Sequence, residues 1–233
     1  MQPQPLYDRV IVDYGHGGMI DGVYQTAGKQ YHHTDTDGGP VVLSLFEGVV
    51  QRQIMARVIR RLRSLGVRVF DCVAGREWIT PPASWRELLQ HDASLAARVR
   101  YANKHSGGVF ISGHSNAIGN EHEGTGRSPT GIEVYTSRGQ TRADHVATTL
   151  HAACADRMPA AGLGMRRGDW SDGDCDYEAG FYVLRKTVMP AVLIEAGYHT
   201  NRRDAEVLVS DEGQAALAGA IVAGLLPWLK LGA

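Results

Sequence analysis

The sequence predicts an α/β layer fold with a largely parallel sheet. Short apolar runs bounded by Gly or Pro alternate along it with longer segments of helical spacing, the signature of strands feeding helices. At 233 residues, 43% hydrophobic and 21% charged, the chain has ordinary globular composition and enough length to bury a core as one domain, 1–233. Several apolar runs also end in Gly-flanked turns carrying His or Glu, and parallel strands bring such ends to one edge of a sheet.

In chain order, residues 9–13 form the first expected strand. The stretch 19–40, rich in Gly, Thr, Asp and His, reads as a surface loop long enough for a functional role. Residues 46–65 have helical spacing, with Ile54, Val58, Leu62 and Leu65 on one face and Arg52, Arg60 and Arg63 on the outward side. Gly66 stands where a helix C-cap ends the run. Strands follow at 67–71, 108–112, 131–136 and 191–195, and helices at 94–104, 141–157 and 212–230. A second polar loop, 165–180, contains RRGDWSDGDCDYEAG. Its aspartates Asp169, Asp172, Asp174 and Asp176 cluster as in a calcium loop without the full loop pattern. There is no internal repeat, low-complexity linker or second-domain boundary, and no appended wall-binding module is visible.

Composition excludes several classes. A formal net charge of −1 provides no basic field for a phosphate backbone, so nucleic acid is not an expected partner. Cys72, Cys154 and Cys175 are distant and odd in number, giving neither a disulfide framework nor a Cys-x-x-Cys site, and read as free thiols. The polar start MQPQPLYDR leads straight into a strand, and no segment has the apolar length of a signal-peptide core or a membrane span. The expectation is synthesis in the cytoplasm without a signal peptide, no membrane insertion, and export by a separate route.

The chemistry concentrates at strand ends. VIVDYGHGG places His16 in a Gly-flanked turn, where a lone histidine is more often a hydrogen-bonded loop residue than a ligand. Glu47 opens the apolar stripe of the 46–65 helix, and a carboxylate aimed at a core must be paired, hydrogen-bonded or metal-bound. The alternative is that it merely favours the positive end of the helix dipole. GVFISGHSNA ends in His114 much as the first strand ends in His16. The three together have the His/Glu/His composition of catalytic zinc sites that keep a position open for water. MPAVLIEAGY brings Glu195 to the same edge as a candidate general acid/base, against the simpler reading of an ion-pair partner for Arg202 or Arg203.

Taken in order, these segments resemble the zinc N-acetylmuramoyl-L-alanine amidases of the amidase-3 type, found in cell-wall remodelling enzymes and in phage and prophage lysins. The likeness runs through IVDYGHGG, EGVVQRQIMARVIRRLRSLG, ARVRYANKHSGGVFISGHSNA, GIEVYTS and FYVLRKTVMPAVLIEAGYHTN. It implies a three-layer α/β domain with a mostly parallel sheet of about six strands flanked by helices. It further implies that His16, Glu47 and His114 bind one catalytic Zn2+, and that Glu195 is the acid/base in hydrolysis of the bond between N-acetylmuramic acid and L-alanine. The expected partner is then peptidoglycan or its muropeptides, with a holin-type release route if the bearer is a phage lysin.

Two departures stand out. The gap between His16 and Glu47 is lengthened by residues 19–40, where Tyr24, Lys29 and Tyr31 are candidates for a substrate groove; the adjacent His32 and His33 diverge too much for a shared metal. Tyr14 replaces the usual proline of the first motif. Asp13 or a backbone carbonyl is the expected orienting partner of His16. Two other functions fit the same residues. A zinc exopeptidase or carboxypeptidase would read a free terminus with Arg166, Arg167 or Arg185, and a noncatalytic peptidoglycan-binding protein could keep the fold without turnover.

Overall fold

Four segments lie side by side and parallel, and the three inner ones are buried on both faces, a pattern that requires helices above and below the sheet, while the fourth is a partly exposed edge strand. They are β1 (Arg9–Tyr14), the edge strand β6 (Arg68–Asp71), β7 (Val109–Asn116) and β10 (Ala191–Tyr198), seen in a computed structural model that describes residues 5–36, 38–73, 94–119 and 129–231. With β8 (Glu133–Thr136) and β9 (Tyr177–Glu178) they form a six-stranded sheet in the order β6-β1-β7-β10-β8-β9. Only the pairing of β8 with β10 is antiparallel.

The period-2 alternation of side chains separates two cores. Val10, Val12, Ile111, Val192 and Ile194 face α1 (Glu47–Ser64), α3 (Ala143–Arg157) and α6 (Asp211–Leu225). Ile11, Phe110 and Leu193 face the other way, toward α2 (Leu95–Lys104) and α4 (Tyr182–Lys186). The helix α5 (Arg202–Val209) follows β10 and completes the first layer, so the expected three-layer α/β fold is present.

Gly66 adopts φ 77°, and the Val67 N–H returns to the Leu62 carbonyl, the left-handed stop expected after α1. Two assignments on this helix are corrected. Leu65 is exposed, because the chain has already turned at the cap, and Arg52 folds back over the N-terminus of α1 rather than facing outward. The expected helix 212–230 also ends early. Pro227 lacks an N–H, the chain tightens into a 3-10 turn at Leu226–Trp228, and Lys230 donates to the Tyr7 carbonyl.

The stretch 19–40 is not an irregular loop. It holds a small ribbon of β2 (Met19–Ile20) with β3 (Val23–Tyr24), and β4 (Gln30–Thr34) pairs antiparallel with β5 (Val41–Phe46), which runs directly into α1. That second ribbon delivers Glu47 at the first turn of its helix. The three cysteines are buried free thiols, as expected.

Candidate metal centre

Gly15 and Gly48 make the centre possible by their lack of a side chain. A Cβ on Gly15 would overlap the His114 ring, and one on Gly48 would overlap the Gly17 carbonyl, so the β1 turn, β7 and the start of α1 could not close together. His16 then sits at φ 64°, a left-handed conformation uncommon for a residue with a Cβ. It is held by the Arg52 guanidinium, which donates to the His16 carbonyl at 2.9 Å and to the Gly48 carbonyl at 2.8 Å. Gly17 N–H donates to Thr26 Oγ1 at 2.7 Å and ties the turn to the ribbon region.

The structure brings the three residues singled out in the sequence to one point. His16 Nε2 lies 3.3 Å from Glu47 Oε2, and His114 Nδ1 lies 3.1 Å from Glu47 Oε1. All three potential ligand atoms fall within 4.8 Å of one another. Burial pushes the Glu47 carboxyl up, but the contacts to His114 and His16 outweigh it and hold the group below the usual carboxylate range. Oε1 also accepts the Ser115 N–H at 3.1 Å, whereas Oε2 is buried without an aligned hydrogen bond. An anionic, buried carboxylate set between two imidazoles is a donor set that suits a cation of the zinc class. Ligand atoms bonded to zinc at about 2.0–2.1 Å in a tetrahedron stand about 3.3 Å apart, close to the spacing here.

Glu195 is the fourth residue at this edge. Its Cα pairs in register with His114 across β10 and β7. Glu195 is partly exposed, yet Oε2 is inaccessible and has no hydrogen-bond partner among the described residues. Burial pushes the carboxyl up to about 7; His114 and Lys29 oppose this, while Glu47 and Glu133 add to it.

Other expectations separate. Asp13 is buried and accepts from Arg98 at 2.8 Å and from Ser112 Oγ at 2.6 Å, so it braces β1 against α2 and β7 instead of His16. Burial raises its pKa, but Arg98 and Ser112 prevail and lower it. Lys29 is exposed and close enough for its charge to act on Glu195, which leaves it at the rim. Tyr24 packs on Phe46 and its hydroxyl accepts the Gly48 N–H at 2.8 Å, a role in seating α1. Tyr31 is corrected outright: it is buried against His33 and lines no groove, because β4 turns that face inward. Tyr14, in place of proline, donates to Asp71 at 3.2 Å and lies under the Arg52 guanidinium. A cavity of about 320 Å³ opens beside the cluster, lined by Asp13, Gly15, His16, Arg98 and His114 among others.

The sequence reading missed a supporting set. Gln51 donates to the His114 carbonyl at 2.9 Å, His199 bonds Ser115, and His33 Nε2 donates to the His199 carbonyl at 2.9 Å. Next to Glu195, the buried Glu133 accepts from Asn116, Tyr135, Tyr198 and Arg166.

A sequence model of the amidase-3 family, N-acetylmuramoyl-L-alanine amidases, matches residues 10–226. The chain belongs to this family. Among characterised members, the amidase LytC of Bacillus subtilis is 30% identical over 184 residues, covering 76% of this chain and 30% of LytC. An uncharacterized cell wall amidase of Bacillus anthracis is 26% identical over 226 residues, covering 95% of this chain and 35% of the relative. The chain thus spans about a third of the length of these two relatives. The N-acetylmuramoyl-L-alanine amidase structure from Clostridium difficile 630 superposes with TM-score 0.66 at 24% identity, over 95% of this chain and 96% of that one. The amidase AmiC2 of Nostoc punctiforme gives 0.64 at 25% identity, over 94% and 96%. Across this amidase fold, no helix among the described residues is long and apolar enough to cross a membrane.

Proposed function

We propose that this amidase-3 member hydrolyses the amide between N-acetylmuramic acid and L-alanine in peptidoglycan, acting as one catalytic domain with a single zinc held by His16, Glu47 and His114. The observation that carries the reading is the convergence of those three donors beside Glu195, whose Oε2 is buried with no hydrogen-bond partner among the described residues. Zinc bound there would supply a Lewis acid that polarises the amide carbonyl and acidifies a water.

The chain's own residues do the rest. Glu195, its carboxyl raised to about 7, is poised to take a proton from water near neutral pH and return it through Oε2 to the departing amine of L-alanine. Gln51 and Ser115 fix the backbone and carboxylate around His114, while Arg52 fixes the His16 turn. Arg166 Nη1 is engaged by Glu133 and Tyr198, which weighs against it as the carboxylate reader that an exopeptidase would need. Release of the domain to the wall through a holin-type route belongs to the same proposal if the bearer is a phage.

Metal analysis paired with chromatography of purified muropeptides tests it. Wild type should carry one zinc and split the muropeptides, and His114→Ala should lose both properties. Cleavage that persists in fully metal-stripped protein would overturn the assignment.

A further inference from the structure

A second carboxylate cluster lies away from the metal centre, where residues 165–180 meet the start of α3. The carboxylates of Asp144, Asp174 and Asp176 each offer an oxygen, all within 4.8 Å of one another. Asp144 has a local reason to be there: in the first turn of α3 it accepts from Thr141 N–H at 2.6 Å and from Thr141 Oγ1 at 2.7 Å. Asp174 and Asp176 are only half accounted for in this way. Asp174 accepts the Asp176 N–H at 3.3 Å, which sets two acidic side chains next to each other.

Asp176 decides the matter. It is only 2% exposed; Oδ2 accepts from Thr136 Oγ1 at 2.6 Å, and Oδ1 is buried with no hydrogen-bond partner among the described residues. No Lys, Arg or His forms an ion pair with any of the three among the described residues. Burying an acidic cluster without a counter-charge is costly, and chemistry offers two remedies, a proton or a cation. The donors are all carboxylate oxygens, which select hard divalent cations over zinc.

We propose that Asp144, Asp174 and Asp176 bind a hard divalent cation of the calcium class, with the unpartnered Oδ1 of Asp176 as a ligand. The cation ties α3, through Asp144, to the polar stretch 165–180, through Asp174 and Asp176, the latter directly before the two-residue edge strand β9. That stretch also supplies Arg166 to Glu133, one strand from Glu195, so the ion fixes a wall of the active edge as well as the sheet margin. In the ion's absence burial, with Asp174 beside it, pushes the Asp176 carboxyl up to about 8, and cation and proton then compete for the same oxygen. Asp172, from the same acidic run, stands outside the cluster, so the fold selects ligands that the spacing alone does not.

The test is independent of turnover and of the amidase reading. Calcium chloride is titrated calorimetrically into protein already saturated with one equivalent of zinc, and melting is followed in parallel. The expected result is one calcium per chain and a rise in Tm of about 5 °C or more at a hundredfold excess over Kd. Asp176→Asn and, as a second route, Asp174→Asn should each weaken calcium binding at least tenfold; Asp176→Asn should melt no lower than wild type in calcium-free buffer at pH 8. Absence of both heat and Tm shift in folded wild type overturns the proposal, as does calcium binding left unchanged in both variants.

Discussion

Glu133 and Glu195 are Cα partners on adjacent strands, yet their surroundings are opposite. Around Glu133, Asn116, Tyr135, Tyr198 and Arg166 supply donors to both oxygens, and the carboxylate is a finished piece of structure. Around Glu195 the fold provides no donor to Oε2 and leaves a raised carboxyl beside His114 and Glu47. Buried polar groups are normally satisfied, so an orphan next to a cluster of ligand-type side chains marks where binding or chemistry is to complete the structure. One strand's width separates a residue that holds the fold from the one proposed to act on the substrate.

The sharpest break of this comparison is exchange of each glutamate for glutamine. Glu195→Gln should lower kcat by about 10²- to 10⁴-fold, the usual worth of a general acid/base, with the denaturation midpoint unchanged or raised. Glu133→Gln should do the reverse. It turns an acceptor toward four donors into a half-donor, costing about 1–3 kcal/mol in denaturant unfolding while zinc stoichiometry stays at one.

Between these lies Arg52→Ala, which frees the His16 carbonyl and the strained turn. Loss of such outer support should weaken zinc affinity about 10- to 100-fold, read by competition with a chromophoric chelator.

The smallest effect concerns pH. Glu195 has a folded pKa raised to about 7 from an ordinary value near 4.5, so the folded protein binds the extra proton. The stability this contributes is fully present below about pH 4.5 and is lost as pH rises through about 7. Metal-free wild type should therefore lose stability across that window relative to Glu195→Gln, and parallel pH profiles of the two would contradict the assignment of the raised group.

Much of the site was legible because strand ends are punctuated. His16 and Glu195 each follow an apolar run beside a glycine turn, His114 follows Gly113 late in its strand, and Glu47 opens an amphipathic helix. Four of the six helices and five of the six sheet strands were legible from periodicity for the same reason, whereas α4 and α5, at five and eight residues, and the two-residue β9 are too short to produce a pattern. The ribbons within 19–46 stayed hidden because polar residues such as His32 and Thr34 mask the alternation, and with them the burial of Tyr31. Glu133 could have been found: a charge between Ile132 and Val134 in a strand must face a polar neighbour. Apart from Tyr135, two residues on, its partners come from β7, β10 and residue 166, however, and no local spacing encodes those.

The most direct test of the central claim is mass spectrometry of peptidoglycan fragments incubated with zinc-loaded wild type and with zinc-loaded Glu195→Gln. The account predicts intact stem peptides beginning at L-alanine with wild type and none with the variant. Equal release by both proteins, or terminal amino acids released while the bond to N-acetylmuramic acid stays whole, would contradict it.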